Sequence, residues 1–446
     1  MKMKRIVGLC LVLLLATGFL AFAAGNRQGS QPGGRVEISY TFWGSPQELI
    51  DTTNTAIRFN NSQDRITVKV EQIPWEVYET VLRTRATAGL MPDAGMLLEG
   101  SVASFAKANL LANAATMYAS NDMPLDSVTF RDTSGNPVAY SSSNEILMLF
   151  YNKDMFDQAG VPYPPADVAN AWNWDQFVDV AKKLTFDTSG RNPGQAGFDR
   201  NNIRQYGVLV ENLAWQLEVW ALSNGGGFYN ANGTEVVIDS PQAIEAIQKV
   251  ADLNLVHNVS PFSPGLTDDG IQRSMLAGNV AMATNGQWNV GTAFPGSGIN
   301  YGVAPLPYMK EKLTINTSGA AVVFNTGNAQ RTAAAMEFIK FMTDVESVWD
   351  TLVASGIWMP NKMKYYTDPA LTARWINNPN FPANYKVAVV DYTLSHAKPA
   401  AWYYTPNTGE FNTLLQSILG DVWTGARTAQ QAITANIAAL KRIHAQ

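Results

Sequence analysis

The chain has one cysteine in 446 residues, Cys10, and it lies inside an N-terminal apolar run. Beyond that run there is no thiol, which excludes disulfide staples and cysteine chemistry. Cys10 follows Leu9 too early in the run to be the lipid-accepting residue of a lipoprotein signal. No lipid anchor is therefore expected. Histidine is nearly as scarce, and His257, His396 and His444 are scattered without metal-ligand spacing. No G-x-S-x-G, H-E-x-x-H or phosphate-loop motif occurs, so the usual hydrolase, metalloprotease and nucleotide signatures are missing. Charge is also thin: charged residues make up 15% of the chain and the net charge is −5, so the basic patch that nucleic acid demands is absent. Charge runs and internal repeats are missing too.

What the chain does have is length, aromatics and an export-like start. A chain of this length exceeds one hydrophobic core, so two domains are expected. The supply of flat apolar faces is large, with 12 Trp, 16 Tyr and 19 Phe. Lys2, Lys4 and Arg5 precede an apolar run from Ile6 to Phe22, and Ala21-Phe22-Ala23 fits the small-x-small cleavage rule. Residues 1–23 are expected to be a cleavable signal peptide. The run is close to transmembrane length, so an uncleaved anchor remains the alternative. Residues 24–35, containing "GNRQGSQPGG", read as a flexible leader.

Periodicity then indicates an α/β chain. Val36 to Phe42 alternates as a half-buried strand does, and Ser45, Pro46 and Glu48 carry the signals of a helix start. "ITVKVEQI" predicts a second strand, "VYETVLRTRATAG" a helix ending at Gly89, and "DAGMLLEG" a third strand ending at Glu99. Later, "EILMLFYN", "NVAMATNG", "YGVAPLP" and "GAAVVFN" read as strands. Asn173 with Gln176, and Thr428 with Gln431, predict capped helices, and Ser240-Pro241 opens another.

Several stretches together resemble the family 1 extracellular solute-binding proteins of ABC importers, of the maltose and glycerol-phosphate binder type. They are "VYETVLRTRATAGLMPDAGML", "LFYNKDMFDQAGV", "WNWDQFVDVAKKLT", "NGGGFYNANGTEVVIDSPQAIEAIQ", "MLAGNVAMATNGQW", "AMEFIKFMTDVESVW", "SGIWMPN" and "GARTAQQAITA", in the family's order. The resemblance implies a two-lobed periplasmic-binding-protein (type II) fold of class α/β, each lobe a sheet flanked by helices, with a hinge between them. It implies a monomer without catalysis or cofactor that closes on a solute and delivers it to a membrane permease. Chain crossings are expected near Ser143, Phe294 and Thr343. That gives a first lobe of 36–143 and 294–343 and a second of 144–293 and 344–446.

A sugar offers apolar C–H faces ringed by hydroxyls, which aromatic faces, carboxylates and amides can bind. Ligands of open α/β sheets gather outside the carboxyl ends of strands. Trp43 stands at such an end, with core packing as the alternative. Trp75 stands where the second strand passes into a helix, and Glu99 closes the third strand; the family resemblance implies ligand contacts at both places. It also implies contacts from Asn144 and Glu145 in the first crossing, Trp288 in "NGQWN", Gly319 in "TSGAAVVF" and Trp358 in "SGIWMPN". Trp402 and Tyr404 fall where glycerol-phosphate binders carry an arginine. This segment has none, which favours a neutral carbohydrate. Trp215 and Trp220 sit inside a helical pattern and read more readily as core.

Three further readings stand beside this one. "DTSGRNPGQAGFD" has a faint likeness to a calcium loop, but Arg191 stands where an oxygen is wanted. Metal is not expected. The same fold could signal to a membrane receptor, and Glu99 with Glu145 could be cast as the carboxylate pair of a secreted glycosidase.

Overall fold

The computed structural model describes residues 34–446 except 44–45, 119–127, 133, 262–270 and 272–273. The expected signal peptide, most of the leader, Ser45 and part of "DDGIQRSMLAG" (268–278), a stretch whose sequence predicts a helix, lie outside the described residues. The strands, in chain order, are β1 (Val36–Phe42), β2 (Ile66–Gln72), β3 (Ala94–Leu97), β4 (Thr129–Arg131), β5 (Pro137–Ser141), β6 (Glu145–Asn152) and β7 (Phe186–Asp187). They continue with β8 (Ile203–Val210), β9 (Val280–Gly286), β10 (Tyr301–Ala304), β11 (Thr314–Thr317), β12 (Ala320–Val323) and β13 (Ala397–Pro399).

They form two sheets. The first runs β2-β1-β3-β12-β5-β4, and the second runs β13-β11-β6-β9-β8-β7 with β10 also on β6. In the first, β1 is parallel to β2 and β3 because one helix carries the chain from β1 to β2 and another from β2 to β3. Ile38, Tyr40 and Phe42 of β1 are buried, the inward set of the alternation. The ring of Tyr40 meets Phe338, from helix Ala329–Met342, edge-on at 5.2 Å. In the second sheet β6 is central and buried along Ile146–Asn152, and its apolar sequence shows no alternation because both faces are covered.

Asp93, at the start of β3, is 1% exposed and joins three elements. Its carboxylate accepts from Ser39 N–H at 2.8 Å and from Arg331 Nε at 2.6 Å, linking β1 and helix Ala329–Met342. Helix starts follow the sequence. Asn173 with Gln176 and Thr428 with Gln431 each form a full capping box. Ser240 caps helix Pro241–Leu255.

Strand pairing departs from the expected crossings at one place. β10 and β11 both pair with β6, so the segment after Phe294 continues the second sheet and the passage to the first is at Ser318-Gly319. The apolar strand "YGVAPLP" carries no mark of which sheet it joins. Another difference concerns Glu99. β3 stops at Leu97, and Glu99 opens helix Glu99–Lys107, where a carboxylate complements the exposed N–H groups of the first turn.

Three short connections link the sheets: residues 142–144, 318–319, and the stretch after Thr343. Asn361 ties two of them, since its Nδ2 donates to Ser141 O at 2.9 Å and to Thr343 O at 3.1 Å. The Ser143 and Ser318 hydroxyls stand 2.8 Å apart and couple the first connection to the second.

Candidate functional site

Register alone gathers the strand ends. Ala320 of β12 pairs with Leu97 and with Ser141, and β1 runs parallel to β3 with Thr41 opposite Gly95. Trp43, Glu99, Ser141 and Gly319 therefore share one edge of the first sheet. In the second, Thr317 pairs with Glu145, Leu147 with Gly286, and Val210 with Thr284. That brings Glu145, the turn after Gly286 and the segment after Val210 to one edge. The connections at 142–144 and 318–319 hold the two edges side by side.

Rings line this junction. The Trp288 indole folds back over Gly286, where an added Cβ would stand 1.9 Å from the ring; only glycine admits this turn. Trp288 lies 6.5 Å from Trp215, near the start of helix Ala214–Ser223. Trp215 in turn meets Trp402 at 5.5 Å. Tyr403 packs on Phe130 at 4.5 Å, and its hydroxyl is 3.4 Å from Ser141 Oγ. From the first sheet, Trp43 packs edge-on against the buried Tyr78 at 5.0 Å. A Cβ at Gly319 would come 2.7 Å from Met96 Cε and 3.9 Å from the Trp43 ring, so glycine there admits the close approach of Met96 beside Trp43.

The polar groups are acceptors and neutral donors. Burial, reinforced by the charges of Glu99 and Glu145, holds the Tyr403 phenol far above its ordinary pKa, so it remains a donor. Glu145 accepts from Ser143 Oγ at 2.9 Å. Gln287 Nε2 donates to Gly356 O at 2.9 Å and to Tyr385 OH at 2.8 Å, binding the Trp288 turn to the segment that carries Trp358. Met359 O accepts from Asn144 N–H at 3.0 Å, so Trp358 stands beside the first crossing. Among the described residues no set of His, Cys, Asp or Glu is arranged to hold a metal ion. In the 187–199 loop, Asp187 is taken up by Ser189, Arg191 and Asp199 N–H groups and by Arg191 Nε.

The expected site residues divide as follows. Trp43, Glu99, Glu145, Trp288 and Gly319 come to the junction, Trp402 joins it through Trp215, and Trp358 flanks it. Asn144 is a correction: it is fully buried, donates to Tyr366 OH at 2.9 Å and accepts from Asn316 Nδ2, so its amide serves the hinge. Tyr404 is a second correction. It is 40% exposed and lies against Gly233 of the Asn230–Thr234 turn, because two residues of the short helix Ala401–Tyr403 turn it away from Trp402. Trp75 opens helix Trp75–Ala88, and its side chain lies outside the described residues. Trp215 is the reverse case. Its apolar helix reads as core, yet the ring is half-buried between Trp288 and Trp402, and its place just after β8 was the available signal. Tyr403 was passed over for its neighbours. Trp220 is core, edge-on to Trp174 at 5.2 Å.

Comparison with known proteins agrees with this architecture. The sequence model of the bacterial extracellular solute-binding protein family matches residues 55–383. The sn-glycerol-3-phosphate-binding periplasmic protein UgpB of Agrobacterium fabrum is 27% identical over 300 residues, covering 66% of this chain and 62% of that protein. The chain thus matches less than two thirds of that relative's length. The putative ABC transporter periplasmic-binding protein YcjN of Escherichia coli is 25% identical over 382 residues, covering 82% of this chain and 81% of that protein. Among solved structures, the ABC substrate-binding protein Lmo0181 of Listeria monocytogenes in complex with cycloalternan superposes with a TM-score of 0.73 at 21% identity, covering 92% of this chain and 98% of that one. The maltose-bound MalE3 of T. maritima gives a TM-score of 0.72 at 22% identity, covering 92% of this chain and 100% of that one. These solved structures share the two-lobed fold.

Proposed function

Because the chain belongs to the bacterial extracellular solute-binding proteins, we propose that it is the periplasmic binding component of an ABC importer, with a neutral carbohydrate as its ligand. The observation that carries this reading is the Trp288–Trp215–Trp402 row at the edge of the second sheet, facing the strand ends of the first. Indole faces cover the C–H faces of a sugar, while Glu99, Glu145 and Tyr403 suit its hydroxyls. The segment "AAWYYTP" offers no arginine to meet a phosphate, which supports a neutral ligand over a phosphate ester.

Trp43, Glu99, Glu145, Trp215, Trp288, Gly319, Trp402 and Tyr403 form the contact set, with Trp358 at its margin. The lobes run 36–141 with 320–342, and 145–317 with the chain after 344. Only the closed arrangement lets both lobes touch one ligand, so ligand shifts the population toward closure, and the closed form engages the permease subunits. The signal peptide and periplasmic residence belong to the same proposal.

Isothermal calorimetry tests the ligand class. Maltose, tagatose, a longer maltodextrin and sn-glycerol 3-phosphate are titrated in turn into the exported protein. Heat from one of the sugars and none from the phosphate ester is the expected result. Binding of the phosphate ester alone would overturn the neutral-ligand reading.

A further inference from the structure

The two lobes meet away from the hinge as well as at it. Helix Glu99–Lys107 of the first lobe packs against helix Thr408–Trp423 and the Ala401–Tyr403 turn of the second. The meeting point is a pair of glycines. A Cβ on Gly100 would stand 2.7 Å from Gly409 N, 2.9 Å from Thr408 Oγ1 and 3.0 Å from Gly409 Cα. Both glycines lie in helices and neither has a positive φ, so backbone conformation calls for glycine at neither place. Closeness calls for it at Gly100 alone: a Cβ on Gly409 would meet nothing nearer than 3.8 Å.

Gly100 is the residue after Glu99, and helix Thr408–Trp423 follows the turn that carries Trp402 and Tyr403. Tyr403 itself meets Phe130 and Ser141 of the first lobe. We propose that Gly100 is a positioning residue for binding: its contact with Gly409 fixes how closely the lobes approach on closing, and so sets the span between Glu99 on one lobe and the 402–403 rings on the other. This rests on the binding reading above for its consequence in affinity, and on the contact alone for the spacing.

The seam spaces the lobes without holding them shut. Its ion pair, Arg83 Nη2 to Glu410 Oε1 at 3.0 Å, joins side chains that are 44% and 45% exposed, so water screens it. Ser101 Oγ and Thr408 Oγ1 are buried beside the glycines and make no hydrogen bond, a desolvation cost that opening relieves. Contact alone is therefore a weak drive to closure, and a ligand held by both lobes supplies the difference. Spacing is another matter, because main chain packed on main chain cannot swing aside as a flexible side chain can.

The test traps closure directly, without ligand. In a Cys10→Ser background, Ser101→Cys and Gly409→Cys face each other across the seam: a Cβ at 409 stands 3.8 Å from Ser101 Oγ, within reach of a disulfide. Under copper phenanthroline and air, which take up the two electrons, the pair should cross-link. Adding Gly100→Ala should slow cross-linking about tenfold or more, the scale on which an added methyl strains a packed contact. Adding Gly420→Ala, on the same helix as Gly409 with open space around its Cβ, should not. Urea unfolding without sugar should find Gly100→Ala at least as stable as wild type, since alanine suits a helix better than glycine. A purely structural glycine would lose stability there.

Glu410→Arg decides the matter even if Gly100→Ala fails to fold. It sets like charge against Arg83, so cross-linking should slow at low salt and recover as salt rises. A pair that never cross-links, or an undiminished rate in Gly100→Ala or in Glu410→Arg at low salt, overturns the proposal. In parallel, maltose and tagatose are titrated. Gly100→Ala should bind about tenfold or more weakly, and Gly409→Ala like wild type. Full affinity in Gly100→Ala overturns the coupling to binding. Slowed cross-linking with no sugar bound by the wild type leaves the spacing role standing and rejects the ligand reading instead.

Discussion

The indoles of Trp215 and Trp402 meet edge to face, 5.5 Å apart with planes at 64°, although 187 positions separate them in a chain that reaches Trp402 only after passing through both sheets. One ring begins a helix after β8; the other sits in a single turn of 3-10 helix. Neither element could present a two-ring surface alone. Trp215→Ala and Trp402→Ala should each weaken sugar binding about tenfold or more, taking ~1–3 kcal/mol for a stacking face by analogy with bases on aromatic rings. Calorimetry measures the loss, and thermal unfolding of the same variants separates it from misfolding. Unchanged affinity in both would remove the ring row from the site.

Trp288→Ala should behave alike, because its ring is held over Gly286 by the turn itself. Gly286→Ala is the sharper probe. Its new Cβ would fall on the Trp288 ring and expel it, so affinity should drop while the indole is still present. Retained affinity in Gly286→Ala would show that Trp288 binds nothing from its observed position.

Asn361 should matter to the hinge more than to the ligand. Asn361→Ala removes donors to Ser141 O and Thr343 O, both buried, and should cost about 2 kcal/mol for two lost hydrogen bonds. Urea unfolding gives the stability. Small-angle scattering with and without ligand reads the closure equilibrium, which should move in the variant.

Arg331→Ala should leave the Asp93 carboxylate buried with only its Ser39 contacts. The expected loss is about 2 kcal/mol, below the range for a fully buried pair because Arg331 is 44% exposed. Arg331→Lys should recover only part, since an ammonium cannot reproduce the Nε and Nη2 fork. Denaturant midpoints decide between them.

Asp187 gives an acid limb to stability. Burial alone would raise its pKa, but N–H bonds from Arg191, Asp199 and Ser189 with the Arg191 side chain hold it at about 2. A pKa depressed in the fold means the contribution is present in full above the unfolded value near 4 and is lost as pH falls through about 2. Asp187→Asn should be less stable at neutral pH, and the difference from wild type should narrow on acidification to about pH 2. A constant difference across that range would reject the assignment.

Local signals in the sequence carried much of this structure, and long-range ones carried little. The strand at Val36–Phe42 and both capping boxes were legible because alternation and caps are decided within a few residues. Glu99 was misread by two positions, since an apolar strand that stops and a helix that starts look alike at "LLEG". The membership of β10 and β11 in the second sheet was not legible, because pairing partners lie far along the chain. Trp215 was hidden for a different reason. A half-buried indole facing a cleft and a core indole occupy the same helical stripe, and only the neighbouring rings from 288 and 402 tell them apart. Asn144 and Tyr404 failed by direction: a residue one place from a contact points elsewhere.

The position of β12 has a consequence for biosynthesis. Ala320–Val323 sits between β3 and β5, so two strands made early are joined only by a strand that emerges after β6 through β11. Until then the first sheet is two separate pieces with a missing middle, each exposing an unpaired edge. Growth of the chain from its N-terminus therefore cannot complete the lobes in order. Most strands of the second sheet are available before the first can close, and the late arrival of one four-residue strand sets when the first sheet becomes continuous.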